Sequence, residues 1–324
     1  VRTANLLNEA KSITFKDAAL EYIGSHKSGW KNEKHAAQWQ STLETYAFPV
    51  FGNLAVASID VGMIMRAIEP IWSEKAETAS RVRGRIESIL DWAKVRGYRE
   101  GENPARWKGN LDHLLPARTK VRKVKHHAAL PYPEISDFIS TLRSHEGAAA
   151  RALEFAILTA TRTSETLNAT WSEIDLDAAL WIIPSERMKA DKEHRIPLSM
   201  RAVEILSDLA KTNSTERDRP VFPGQRAKKP LSNMALLMML RRMDRADITA
   251  HGFRSTFRDW VAEKTSFPNE VAEMALAHSV GNKVEAAYRR GDLFEKRRQL
   301  MDAWATFCVT GHFGDRIVAL ADNH

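Results

Sequence analysis

The chain has 324 residues, 44% of them apolar and nine of them tryptophan, which is enough to bury the cores of two domains and too apolar for a disordered chain. A net charge of +7 and a pI of about 9.4 favour a polyanionic partner. A single cysteine, Cys308, excludes an internal disulfide, suits a reducing cytoplasmic compartment and, at the end of an apolar helical pattern, reads as a small core residue.

In chain order, residues 1–115 read as a bundle of helices with short connections. Thr14 and Asp17 form a helix start, followed by an apolar face of Phe15, Ala18, Ala19, Tyr22 and Ile23. Asn32 is predicted to cap a second helix carrying Ala36, Trp39, Leu43 and Tyr46, with Pro49 beyond its end and FPVFGN as a turn. Further helices are expected over Asp60–Trp72 and Ala76–Lys94, the last stopping at Gly97. The segment ARTKVRKVKHH, residues 117–127, holds five Lys or Arg and no acid, so a basic linker is expected over 116–129. It is either a solvated connection or a strap that lies along phosphates.

Beyond Leu130 the pattern changes. Pro133 and Glu134 open a helix, and RALEFAILTAT reads as a helix buried nearly all round, too short and too interrupted by Glu154 to cross a membrane. AALWIIP and IPLS, joined by the charged RMKADKEHR, predict a hairpin with a long tip. Helices follow near 200–212, 232–243, 252–264, 269–277 and 294–308, and residues 309–324 form a tail with apolar Ile317, Val318, Leu320 and Ala321. That tail is either a frayed end or a segment that docks on a neighbouring subunit. The expected class is mostly α: a helical bundle, then an α-rich domain over 130–308 with a small antiparallel sheet. The start at Val1 rather than methionine raises the expectation of a further domain upstream, and no secretory signal is seen.

Common site types are missing from the sequence. There is no GxxxxGK[ST] loop, no Rossmann glycine pattern, no zinc-ligand spacing and no acidic cluster of the two-metal kind, so neither cofactor nor metal is expected. A basic protein acting on phosphate without a metal must stabilise charge with fixed cations. Candidates are at hand. Arg162 follows the buried helix and precedes Glu165, which can orient it; Lys189 sits on the hairpin tip, with Lys192 competing for the same place. In TAHGFRSTFRDW, His251, Arg254 and Arg258 fall within about 60° of one another on a helix, beside an apolar arc of Phe253, Phe257, Trp260 and Val261. LAHSVGNKVEAAYRRGD then brings His278 and Tyr288.

Taken singly, each of these reads as a surface charge or a structural pair. Their order, Arg, Lys on a hairpin, His-x-x-Arg, His and then Tyr, resembles that of the tyrosine recombinases, the phage-integrase family. ATRTSE, MKADKEHRIPLS, AHGFRSTFRDW and LAHSVGNKVEAAYRRGD are similar to the integrases of satellite phages and genomic islands, and FGNLAVASI with the Arg81–Trp92 stretch is similar to the family's core-binding module.

The resemblance implies a two-domain, C-shaped clamp on double-stranded DNA that cuts and rejoins attachment-type core sites to integrate or excise a prophage or genomic island. It implies Tyr288 as the nucleophile that forms a 3′-phosphotyrosine, Arg162 and Arg254 gripping the phosphate, and His278 adding a hydrogen bond. It further implies His251 as proton acceptor, Lys189 as the acid for the leaving 5′ oxygen and Glu165 as the group that fixes Arg162. Lys120, Arg122, Lys123 and Lys125 of the linker and Arg258 are the expected phosphate contacts, with Lys228, Lys229, Arg241 and Arg242 as further candidates. Implied too are a chain that is monomeric without DNA and a homotetramer on two duplexes in the bacterial cytosol, with an excision factor and a host bending protein as possible helpers. The relatives' amino-terminal arm-binding domain is missing from this stretch.

Two other readings share parts of this pattern. A type IB topoisomerase-like enzyme uses the same chemistry but relaxes supercoils as a monomer; the helical first module and the genomic-island motifs weigh against it. A non-catalytic DNA-binding regulator keeps only the fold; the intact set of Arg162, His251, Arg254 and Tyr288 weighs against that.

Overall fold

The computed structural model describes residues 12–30, 33–121, 128–226, 228–278 and 291–312. The chain divides into two compact units, Val1–Lys125 and His126–His324.

The described helices of the first unit are α1 (Phe15–His26), α2 (Glu33–Tyr46), α3 (Phe48–Phe51), α4 (Val61–Trp72), α5 (Ala76–Val95) and α6 (Arg118–Val121). Their starts follow the sequence. The Thr14 hydroxyl accepts the Asp17 backbone N–H at 3.1 Å, and Asp60 Oδ1 accepts that of Met63 at 2.8 Å, each satisfying a donor that the first turn leaves open. FPVFGN, expected as a turn, contains the single-turn helix α3. Pro49 sits in its first turn, where a missing N–H breaks no helical bond. The predicted cap Asn32 lies outside the described residues. The core of this unit joins Phe15, Ala18, Ala19 and Ile23 of α1, Leu43 of α2, Ile64 and Ile68 of α4, and Val82, Ile86, Ile89 and Leu90 of α5.

The second unit is also mainly helical: α7 (Ile135–Arg143), α8 (Ala148–Thr159), α9 (Thr163–Leu167), α10 (Met200–Thr212), α11 (Ala235–Arg242), α12 (Gly252–Lys264), α13 (Asn269–Ala275) and α14 (Phe294–Thr310). Helix α8 is buried over nearly its whole length, as its apolar run predicts. Against its end packs α14, where Trp304 donates its indole N–H to the Ile157 carbonyl at 2.9 Å and Cys308 is fully buried. Burial pushes the Cys308 thiol well above its ordinary pKa, as befits a core residue.

The sheet has three antiparallel strands in the order β1 (Ile174–Asp175), β2 (Leu180–Ile183) and β3 (His194–Pro197). The two long strands are the predicted hairpin. Strand β3, however, begins at His194, which pairs with Ile183. Two residues read as part of the charged tip are thus drawn into the ladder, because every backbone group of Ile182 and Ile183 needs a partner.

Helix α12 is docked on the segment that follows the linker. Thr249 N donates to the Ala128 carbonyl at 3.1 Å, and the Thr256 hydroxyl to that of Leu130 at 2.6 Å. Gly252 lies so close to Ala128 that a Cβ would collide with its carbonyl oxygen, so glycine is what lets this helix start there. Among the described residues, no helix is long and apolar enough to cross a membrane.

Candidate active site

Helix α8 ends at Ala160 in the left-handed conformation (φ 51°), which turns the chain sharply. The Thr161 hydroxyl then bonds those of Thr159 at 2.9 Å and Thr166 at 2.7 Å. This fixed turn places Arg162 at the start of α9. Glu165 holds it twice: Oε2 accepts the Arg162 backbone N–H at 2.8 Å, and Oε1 accepts Nη1 at 2.6 Å. The carboxylate is 5% exposed and the guanidinium 25% exposed, so the charged fork is oriented from below and open above.

Arg254, in the first turn of α12, is buried. Its Nη1 donates to the Ala160 carbonyl, and its Nη2 donates to the Leu276 carbonyl at 2.5 Å and lies 3.2 Å from His278 Nε2. Arg162 Nη2 reaches the next carbonyl, that of Ala277, at 3.2 Å. Both guanidiniums thus grip the turn after α13 and bring His278 beside them. Burial first, then the charge of Arg162, pulls the Arg254 pKa down to about 10, while Glu165 and Glu273 act the other way. It stays cationic at neutral pH, and two cations held at one turn form a site that an anion relieves.

The remaining predicted residues are placed as follows. His251 is exposed at the residue preceding α12. Lys189 and Lys192 are both exposed on the tip between β2 and β3. The base of that tip is pinned. Met188 is buried, and Arg187 bonds both Glu173 oxygens and donates to the Glu165 carbonyl at 2.7 Å, which ties the tip to the turn that carries Arg162. Arg258, expected on the phosphate, uses Nε on Glu273 at 2.7 Å and Nη2 on Asn269. Lys120 is exposed on α6; Tyr288, Arg122, Lys123, Lys125 and the tail beyond residue 312 lie outside the described residues.

Some residues at this site were not singled out from the sequence. Glu273 bridges Arg258 and His278. Arg297, buried on α14, donates to the Asp292 carbonyl at 2.7 Å, the Arg195 carbonyl at 2.6 Å and Asp292 Oδ2 at 2.8 Å, tying the chain just past the tyrosine segment to β3. His194 is buried at the head of β3. Its signal was present, since it continues backward the inward alternation of Ile196 and Leu198.

Burial first, then the charge of Arg297, lowers the His194 pKa from 6.5 to about 4. An unfolded chain takes up this proton near its ordinary pKa and the folded chain does not. Stability from this group is therefore complete above about pH 6.5 and is lost as pH falls toward 4, by about 3 kcal/mol. Urea denaturation at several pH values across that window should show the slope, and His194→Gln should flatten it. An unchanged slope in the variant would assign the pH dependence to other groups.

Comparison with known proteins gives the family and the fold. Residues 15–110 match the phage integrase central domain, and residues 130–293 match the phage integrase family. The prophage integrase IntZ of Escherichia coli (strain K12) is 32% identical over 293 residues, which cover 90% of this chain and 70% of that protein. The integrase of Enterobacteria phage P4 is 28% identical over 316 residues, covering 91% of this chain and 69% of that one. In fold, the chain is similar to a crystal structure of a lambda integrase tetramer bound to a Holliday junction, with a TM-score of 0.66 at 16% identity over 87% of this chain and 82% of that one. The chain belongs to the phage integrase family and is a site-specific tyrosine recombinase.

Proposed function

We propose that this recombinase works through the cluster around residues 162, 254 and 278, with Tyr288 as its nucleophile. The observation that carries the reading is the convergence of Arg162, Arg254 and His278 on the turn at 276–278. The phenol oxygen of Tyr288 attacks the scissile phosphorus and the bond to the 5′ oxygen breaks, leaving a 3′-phosphotyrosyl ester. The phenolic proton passes to His251, and Lys189 returns a proton to the departing 5′ oxygen. Arg162 and Arg254 hold the non-bridging oxygens as charge builds on them, and His278 adds a hydrogen bond. Glu165 keeps Arg162 aimed. The ester conserves the energy of the broken bond, so a second 5′-hydroxyl can attack it and rejoin the strands without ATP.

The substrate is double-stranded DNA at attachment-type core sites, with Lys120, Arg122, Lys123 and Lys125 on phosphates. The lambda integrase structure is a tetramer on a Holliday junction, which supports four subunits acting on two duplexes here. An excision factor and a host bending protein complete the proposed partners.

The test is a nicked suicide substrate. The unmutated chain is expected to become covalently joined to DNA, and Tyr288→Phe to bind the same DNA with no adduct. DNA binding by the unmutated chain without any adduct would replace this reading with that of a DNA-binding regulator.

A further inference from the structure

We propose that Glu273 is a positioning residue for the strand-cleavage site, fixing the orientation and proton placement of His278 while Arg258 braces it from behind. The inference rests on the proposed role of His278 at the phosphate and adds to it a residue to which no role has been given.

The geometry is a chain of four side chains. Arg258 Nε donates to Glu273 Oε1 at 2.7 Å, and Glu273 Oε2 lies 2.7 Å from His278 Nδ1. His278 Nε2 in turn lies 3.2 Å from Arg254 Nη2. Only one assignment of protons satisfies both ends. An ionised carboxylate can only accept, so Nδ1 carries a hydrogen; a guanidinium can only donate, so Nε2 presents its lone pair. Glu273 is ionised at neutral pH. Burial raises its pKa, but the hydrogen bonds from Arg258 and His278 outweigh that and bring it below its ordinary value.

Two consequences follow for catalysis. First, the ring is held by the nitrogen that faces away from Arg254, so Nε2 is the atom offered to the phosphate. Second, because Nδ1 keeps its hydrogen throughout, a proton that Nε2 takes from solvent can be donated to a phosphate oxygen without the ring turning over. Arg258 supplies the brace. With Nη2 on Asn269 and Nε on Glu273, its guanidinium ties α12 to the start and body of α13, the helix that leads into the gripped turn. That is a different task from contacting DNA, and it accounts for the arginine at 258 sharing the His251–Arg254 face. The Glu273 side chain is 25% exposed, so shortening it leaves no large void.

The experiment compares Glu273→Ala, Glu273→Gln, His278→Ala and the double variant Glu273→Ala/His278→Ala, in single-turnover adduct formation on a nicked suicide substrate. Glu273→Ala should slow the adduct by about 10- to 100-fold with noncovalent DNA binding unchanged. Glu273→Gln, which keeps an acceptor in place, should recover part of the rate. In the His278→Ala background the loss of Glu273 should cost nothing further. In parallel, nitrogen-15 NMR of labelled histidine in the full chain should show the His278 hydrogen on Nδ1, and that signature should be lost in Glu273→Ala. Multiplying rather than overlapping effects in the double variant would overturn the proposal, as would an unchanged His278 spectrum. No adduct from the unmutated chain would instead overturn the assignment of the cleavage site, while the spectrum would still decide the Glu273–His278 contact.

Discussion

Arg254→Lys is expected to lower the rate of covalent adduct formation by about 10²- to 10³-fold while leaving a positive charge at the position. The loss comes from geometry. Arg254 reaches the carbonyls of Ala160 and Leu276 and the ring of His278 at once, which a planar, multi-donor fork can do and a single ammonium cannot. A lysine there must choose among these partners, and the turn at 276–278 loses one of its two grips. Because the pKa of Arg254 is about 10, the native side chain is charged throughout the working range, so a pH change cannot mimic the substitution. Single-turnover rates on a nicked substrate measure the effect, with thermal melting as the control for folding. A rate within about threefold of the unmutated chain would show that the fork does not hold the reacting phosphate.

Glu154→Ala is expected to destabilise the second unit by about 3–5 kcal/mol. The carboxylate is fully buried within α8, and three guanidiniums close on it: Arg143 Nε at 2.7 Å, Arg201 Nε at 2.9 Å and Arg151 Nη1 at 3.3 Å. Removing it strips these arginines of their shared counter-charge and leaves a void in a helix packed on every side. Burial raises the Glu154 pKa, yet the hydrogen bonds and charges of Arg201 and Arg143 leave it lowered overall. Its stabilisation is thus complete above the ordinary carboxylate range and is lost as pH falls through the depressed value. Urea denaturation of the variant near neutral pH reads the effect directly. A change below about 1 kcal/mol would mean that solvent or neighbouring acids already balance the arginines.

Much of this architecture was legible before any coordinates. Thr14 and Asp60 announced helix starts because a cap acts on backbone groups two or three residues away. The burial of α8 was written in an apolar run broken at Glu154, and the hairpin in two apolar runs about a charged tip. The Arg162–Glu165 pair was readable because three residues bring side chains together at a helix start. The partner of Arg258 was not readable, since its helical phase puts it beside Arg254 yet says nothing of what faces it; Glu273, fifteen residues on, accepts from its Nε.

The amino-acid sequence alone determined the helical elements, the two-part organisation and the membership in the integrase family, because periodicity, capping and motif order are local properties that survive without knowledge of neighbours. Tertiary structure alone decided that Arg162 and Arg254 grip adjacent carbonyls, that Glu273 lies against the His278 ring, and that His194 is buried beside them. The two arginines reach across segments distant along the chain, and Glu273 meets His278 five residues on through the turn that those arginines grip, so the facing partner is set by packing of one element on another.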